Sequence, residues 1–173
     1  MATSVQIPLS EYLSTAYRPD CEYVDGELVE RNVGKYEHAR LQALLAAWFI
    51  QNQKSWRLVA LTEQRVQVSP SRVRIPDVCI VPFGPQADVL SQPPLVVIEI
   101  LSPDDLQVEL QRRSRDYIAM GVPNIWVIDP SNRMALWHSA EAWHETTSEL
   151  RIAGSPVYVD LEALFRDLDE SRA

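Results

Sequence analysis

Two acidic residues stand inside apolar runs, where a lone charge is costly. Asp77 follows Pro76 at the head of Val78-Cys79-Ile80-Val81, and Glu99 is the charged residue within Leu95-Val96-Val97-Ile98-Glu99-Ile100-Leu101. An ionised carboxylate taken out of water needs a cation, a metal or a set of donors to compensate it. If the two runs pair as antiparallel strands across the proline-bearing loop at 82–94, with Val81 facing Leu95, the same register sets Asp77 opposite Glu99 on one face. Opposed residues lie roughly 4.5–5.5 Å apart at Cβ. Two carboxylates at that spacing can hold one hard cation such as Mg2+ or Mn2+. That ion would bind phosphate oxygens and lower the pKa of a bound water into the nucleophile range. The plain alternative is that Asp77 ends a strand after Pro76 and Glu99 pairs with an arginine. Spacing does not decide between the two.

The next segment adds a cation. Leu106, Glu109, Leu110, Arg113 and Tyr117 stand at i, i+3, i+4, i+7 and i+11, one face of a helix that runs to about Met120. Ser102 or Asp104 can cap it, and Gly121 with Pro123 stops it. Arg113 then lies on the inward stripe, behind the strand that carries Glu99, where positive charge can stabilise a phosphorane-like transition state. Arg112, Arg115 and Asp116 fall outside the stripe. The competing arrangement is an i,i+4 pair of Glu109 with Arg113 on a solvated surface.

Other elements must hold these residues in place. Ser10 can cap a short helix through Glu11 and Tyr12 that ends near Pro19. The run Glu22-Tyr23-Val24-Asp25-Gly26-Glu27-Leu28-Val29 reads as a hairpin turning on Asp-Gly. Between Tyr36 and Gln53, Leu41, Leu44, Leu45, Trp48 and Phe49 recur at helical spacing. A β section over 58–68 precedes a Ser69-Pro70-Ser71 turn, and strands are expected at 75–81, 95–101, 125–128 and 135–138. Leu161, Leu164, Phe165 and Leu168 give a terminal helix capped by Asp160. The order is mixed α/β (α+β), with one strand–helix–strand crossover near the end.

Composition narrows the classes further. The chain has 173 residues, with 46% hydrophobic and 23% charged, and is expected to form one domain over 1–173. Its apolar runs are far shorter than the roughly 18–20 residues of a membrane span, and the N-terminus lacks a basic, then apolar, leader. The expectation is therefore no membrane and a cytoplasmic address. Cys21 and Cys79 are isolated and read as buried thiols, neither a disulfide nor a zinc site. A net charge of −8 opposes long-range attraction to a polyanion. A local arrangement can offset this, and Arg65, Arg72, Arg74 and Arg112 are expected to gather near one rim, with acids on the far side.

Together, Pro76-Asp77-Val78, Val97-Ile98-Glu99-Ile100-Leu101-Ser102-Pro103, Tyr117 with Gly121-Val122-Pro123, and Trp126-Val127-Ile128-Asp129-Pro130 resemble the Uma-two-type family, assigned as restriction endonucleases of the PD-(D/E)XK superfamily. The Glu22-Tyr23-Val24-Asp25-Gly26-Glu27 hairpin and the helix near His38 extend the resemblance over almost the whole chain. It implies a restriction-endonuclease-like core, a central mixed β-sheet flanked by helices, and metal-dependent endonuclease action on DNA with Mg2+ or Mn2+. Carried over by position, Asp77 and Glu99 are the metal carboxylates, the carbonyl of Ile100 adds a ligand, and Glu37 is the acid from the first long helix. His38 is expected to pack or hydrogen-bond locally. The pattern departs at the lysine. Leu101 occupies the third position of the E-x-K signature, and the migrated position four residues before Tyr117 holds Arg113. Arginine keeps the charge but does not readily deprotonate to act as a base. This leaves a second expectation, a nuclease-fold protein without turnover that acts as a nucleic-acid-binding or protein-interaction module. Trp137 and Trp143 are candidates to pair subunits in a homodimer.

Overall fold

The computed structural model describes residues 6–31, 34–102, 107–139 and 141–172. Asp25 and Gly26 both adopt positive φ, 51° and 96°, so the chain reverses in two residues as a primed turn requires. Cys21–Val24 (β1) thereby pairs antiparallel with Glu27–Glu30 (β2), Val24 facing Glu27. The short helix Leu9–Ser14 (α1) braces this hairpin through buried Tyr12, whose hydroxyl donates to the Cys21 carbonyl at 2.7 Å. Val66–Ser69 (β4) and Arg72–Arg74 (β5) meet around the Pro70-Ser71 turn, and β5 joins β1, giving a four-stranded sheet in the order β2-β1-β5-β4.

The larger sheet has six strands. It is built from Leu58–Thr62 (β3), Val78–Pro82 (β6), Val96–Ile100 (β7), Ile125–Asp129 (β8), Met134–His138 (β9) and Trp143–Thr146 (β10), in the order β10-β9-β8-β7-β6-β3. Strands β7 and β8 are parallel and the other pairs antiparallel. The parallel pair needs a crossover, supplied by helix Gln107–Met120 (α3). On one face the long helix Tyr36–Trp56 (α2) buries Leu41, Leu45 and Phe49 against Val78, Ile80, Ile98 and Trp126. Helix Leu161–Glu170 (α4) covers the same face after a small pair of strands, Glu149–Arg151 (β11) and Tyr158–Asp160 (β12). The Asp160 side chain caps α4, accepting from the Ala163 amide at 2.9 Å. The opposite face, carrying Cys79, Val81, Val97 and Ile125, packs on Tyr117 of α3 and on Val66 and Val68 of β4. The central strands are covered on both sides, which explains their continuous apolar runs.

Two expected strands have different bounds. The 58–68 section breaks at Glu63, whose φ is 51°, so β3 and β4 enter separate sheets. The 75–81 run is shortened instead: β6 starts only at Val78 in the large sheet, and the preceding strand β5 ends at Arg74 in the small one. Pro76 between them has no amide hydrogen for a ladder. Asp77 therefore sits at a bend just before β6. Capping of α3 by Asp104 lies outside the described residues. Cys21 and Cys79 are free and buried, and among the described residues no helix is long and apolar enough to cross a membrane.

Candidate active site

The β6–β7 register runs Val78 to Ile98, Cys79 to Val97 and Ile80 to Val96; one further step sets Asp77 across from Glu99. Both carboxylates are buried, 3% and 2% exposed. They are served from different sides, however. Because Asp77 precedes the strand, alternation no longer fixes its direction, and its carboxylate turns toward Arg31, His38 and the end of β7. There Oδ1 accepts from Arg31 Nη2 at 2.7 Å, while Oδ2 accepts from the Ile100 amide at 2.8 Å and lies 3.1 Å from His38 Nε2. Gln42 donates to the Asp77 carbonyl at 2.9 Å. Burial works against the charge, but His38, Arg31 and the Ile100 N–H together outweigh it and hold the Asp77 carboxyl below the usual range.

Glu99 shares the strand face of Val97 and looks toward α3. Its Oε1 accepts from the Tyr117 hydroxyl at 2.8 Å and its Oε2 from Arg113 Nη1 at 3.1 Å. The sequence alternatives for Arg113 are thereby resolved, since Glu109 instead accepts from Arg112 at 2.6 Å. Burial pushes the Glu99 carboxyl up to about 7. Arg113 and the Tyr117 hydrogen bond oppose that rise, whereas the nearby charges of Asp77 and Glu22 add to it. Tyr117 is raised well above its ordinary value by burial and by Glu99, so its hydroxyl stays a donor.

Beside this pair lies a buried ionic network that sequence reasoning missed. Arg74, 3% exposed, donates through Nη1 to Glu22 at 2.6 Å and through Nε to Asp116 at 2.7 Å. Glu22 also accepts from the Ile75 amide at 3.1 Å, and Asp116 from Arg72 Nη1 at 2.8 Å. The network ties β1, β5 and α3 together behind Glu99. Asp116, expected outside the inward stripe, is buried because α3 packs against both the large sheet and β4, which covers a wider arc of the helix than one sheet would. The available signal was an arginine flanked by Val73 and Ile75 in a strand, where an unpaired charge could not persist.

Glu37 does not join the pair. It accepts from Arg172 at 3.1 Å, with Arg133 at 3.8 Å. The physical reason is the helical step of roughly 100° per residue: His38 turns toward Asp77, so Glu37 faces the C-terminal end of α4. The arginines expected to gather near one rim, with acids on the far side, instead each hold an acidic partner. Arg65 pairs with Asp20, Arg72 with Asp25 and Asp116, Arg74 with Glu22 and Asp116, and Arg112 with Glu109. For Ile100, the group seen to act is its amide, which holds Asp77. His38 does hydrogen-bond locally, as expected, though its partner is the site carboxylate. Its ring lies over Gly34, where a β-carbon would fall 2.6 Å from His38 Cγ.

A cleft of about 310 Å³, lined among others by Asp20, Arg31, Gly34, His38, Gln42 and Glu63, opens beside the side chains that hold Asp77, which does not itself line it. The Mg2+ or Mn2+ implied by the resemblance needs several oxygen ligands free to turn toward it. In this arrangement the residues do not fit one. All four oxygens of Asp77 and Glu99 already engage protein donors, two of them guanidinium groups. Among the described residues no group of three His, Cys, Asp or Glu side chains is gathered to hold a metal.

A family model described as "Uma2: Putative restriction endonuclease" matches residues 9–169. Among solved structures, the chain is similar to a crystal structure of "a putative nuclease belonging to DUF820" from Anabaena variabilis, with a TM-score of 0.82 and 20% identity over 94% of this chain and 99% of that one. That likeness shows the fold, the mixed sheet flanked by helices expected from the sequence. A cryo-electron-microscopy structure of a DrdV–DNA complex also matches, with a TM-score of 0.40 and 16% identity over 76% of this chain and 11% of that one. No curated protein matches.

Proposed function

The chain belongs to the Uma2 family of restriction-endonuclease-like proteins, and from that premise we propose that it is an endonuclease acting on DNA phosphodiester bonds at the Asp77–Glu99 centre. One observation carries the reading: two buried carboxylates, Asp77 at the bend before β6 and Glu99 on the adjacent β7, stand one step beyond the paired register, with Arg113 and Tyr117 from the crossover helix on Glu99 and a cleft beside the Arg31 and His38 that hold Asp77. Restriction-endonuclease-like families generally use a divalent metal, but in this arrangement every carboxylate oxygen of Asp77 and Glu99 is engaged by a protein donor. The proposed chemistry is that of the chain's own residues. Arg113 places a fixed positive charge beside Glu99, where charge developing on a phosphate would be stabilised. The Glu99 carboxyl, lifted to about 7, can give or take a proton near neutral pH. His38, hydrogen-bonded to Asp77, lines the cleft and can present a ring nitrogen to a substrate there.

Supercoiled plasmid and single-stranded DNA, each incubated with Mg2+ or Mn2+, test the proposal. Nicking by the native chain and a loss of about 100-fold or more in Asp77→Ala is the expected result; absent cleavage, or equal cleavage by both proteins, refutes it. The saturated carboxylate oxygens and Leu101 in the lysine position favour a second reading, a nuclease-fold module that binds nucleic acid or protein without turnover. Salt-dependent DNA binding without cleavage is the result that would select it.

A further inference from the structure

The Asp77–Glu99 centre is balanced in charge by the chain itself. Arg31 Nη2 stands 2.7 Å from Asp77 Oδ1 and Arg113 Nη1 3.1 Å from Glu99 Oε2, with the two arginine side chains 17% and 15% exposed. Each carboxylate thus has a guanidinium of its own, in surroundings where an unpaired charge is costly. The other two oxygens are held by groups that cannot move aside singly. The Ile100 amide, 2.8 Å from Asp77 Oδ2, belongs to the backbone of β7, and the Tyr117 hydroxyl, 2.8 Å from Glu99 Oε1, is carried by a fully buried ring.

Direction matters as much as occupancy. Asp77 turns toward Arg31 and His38, whereas Glu99 turns toward Arg113 and Tyr117 of α3. A hard cation needs several oxygen ligands aimed at one point. Releasing either guanidinium frees one oxygen with no further ligand gathered beside it, since among the described residues no three His, Cys, Asp or Glu side chains come together. A divalent ion entering the intact set would add two positive charges next to two guanidinium groups, which like-charge repulsion opposes.

We propose that arginine replaces metal at this centre: Arg31 and Arg113 supply the compensating charge, and the centre takes no divalent ion. Arginine suits the part, because its charge does not titrate and it is more weakly hydrated than an ammonium. The inference rests on the nuclease reading for its site and adds that the site's cations are covalently fixed. Two consequences separate replacement from competition. Metal does not enter when a guanidinium is removed, because the freed oxygens face apart, and whatever the centre does to nucleic acid it does in the presence of a chelator.

Paramagnetic Mn2+ tests this on the full chain by NMR. An ion held at Asp77 would adjoin the His38 ring, whose Nε2 lies 3.1 Å from Oδ2, and would erase its resonances ahead of those of His138 and exposed His144. As MnCl2 is added, His38 is expected to lose no more signal than His144, in the native chain and in Arg31→Met alike. Circular dichroism establishes that the variant is folded; if it is not, Arg31→Gln, which keeps a neutral donor for Asp77, takes its place beside the native measurement. Selective loss of the His38 signal in the native chain, or its onset once the guanidinium is removed, overturns the proposal. Plasmid cleavage is read separately, with MgCl2 and with EDTA, and is expected to survive EDTA. Cutting that EDTA abolishes overturns the arginine assignment and leaves the nuclease reading standing. No cutting in either condition refutes that reading and leaves the Mn2+ result to decide the proposal.

Discussion

Neutralising Glu99 probes the electrostatics of the site while keeping its shape. In the folded chain burial lifts this carboxyl from 4.5 to about 7, whereas the unfolded chain loses the proton near the ordinary value. Between those two pH values the native state holds a proton that the unfolded state has released, so stability falls as pH rises through the window. At 1.36 kcal/mol per pH unit, the window corresponds to about 3 kcal/mol, present below about pH 4.5 and lost above about pH 7. Glu99→Gln retains the side-chain volume and an acceptor for Tyr117, but has no proton to lose. The orphaned Arg113 shifts its stability by an amount that does not vary with pH in this range. Guanidinium unfolding of both proteins at pH 4.5, 6, 7 and 8 should therefore show the native chain losing about 3 kcal/mol relative to Glu99→Gln across the series. In thermal melts, that is roughly 6–12 °C for a chain of this size. A difference that stays flat with pH, or that moves in favour of the native chain, would mean that Arg113 and Tyr117 compensate Glu99 fully and that the desolvation argument is wrong.

Three further outcomes are expected. Arg74→Met leaves Glu22 and Asp116 buried without their shared cation and should cost about 3–5 kcal/mol in chemical unfolding; a loss below about 1 kcal/mol would show that Arg72 and the Ile75 amide suffice. Gly34→Ala drives a methyl into the His38 ring and should cost about 1–3 kcal/mol, with displacement of the His38 ring resonances in NMR spectra; unchanged resonances would remove Gly34 from the support of the site. Trp137 and Trp143, 37% and 39% exposed on β9 and β10, are proposed to pair subunits, so the native chain should sediment as a dimer and a Trp137→Ser/Trp143→Ser chain as a monomer. A monomeric native chain ends that proposal.

Much of this molecule is written in local chemistry. The Asp25-Gly26 pair dictates a primed turn whatever surrounds it, the 3.6-residue spacing of Leu41, Leu45 and Phe49 dictates α2, and the apolar run around Glu99 dictates a strand buried on both faces. The period of two along β6 and β7, counted from Val81 and Leu95, places Asp77 across from Glu99, and helical spacing puts Arg113 behind Glu99. These follow from sequence because each depends on residues a few positions apart. What only the tertiary structure decided depends on residues about 40 or more positions apart. Arg31 and His38 meet at Asp77 because β2 and α2 converge on the bend before β6, and Arg74 joins Glu22 to Asp116 because β5 lies between β1 and α3. No spacing along the chain encodes which of several acids an arginine will find. Glu37 shows the same limit, since its identity suited the site but one helical step of roughly 100° sent it to Arg172 instead. The sequence by itself set two acids inside apolar runs, where burial demands compensation; the fold determined that the protein's own cations supply it, from different sides.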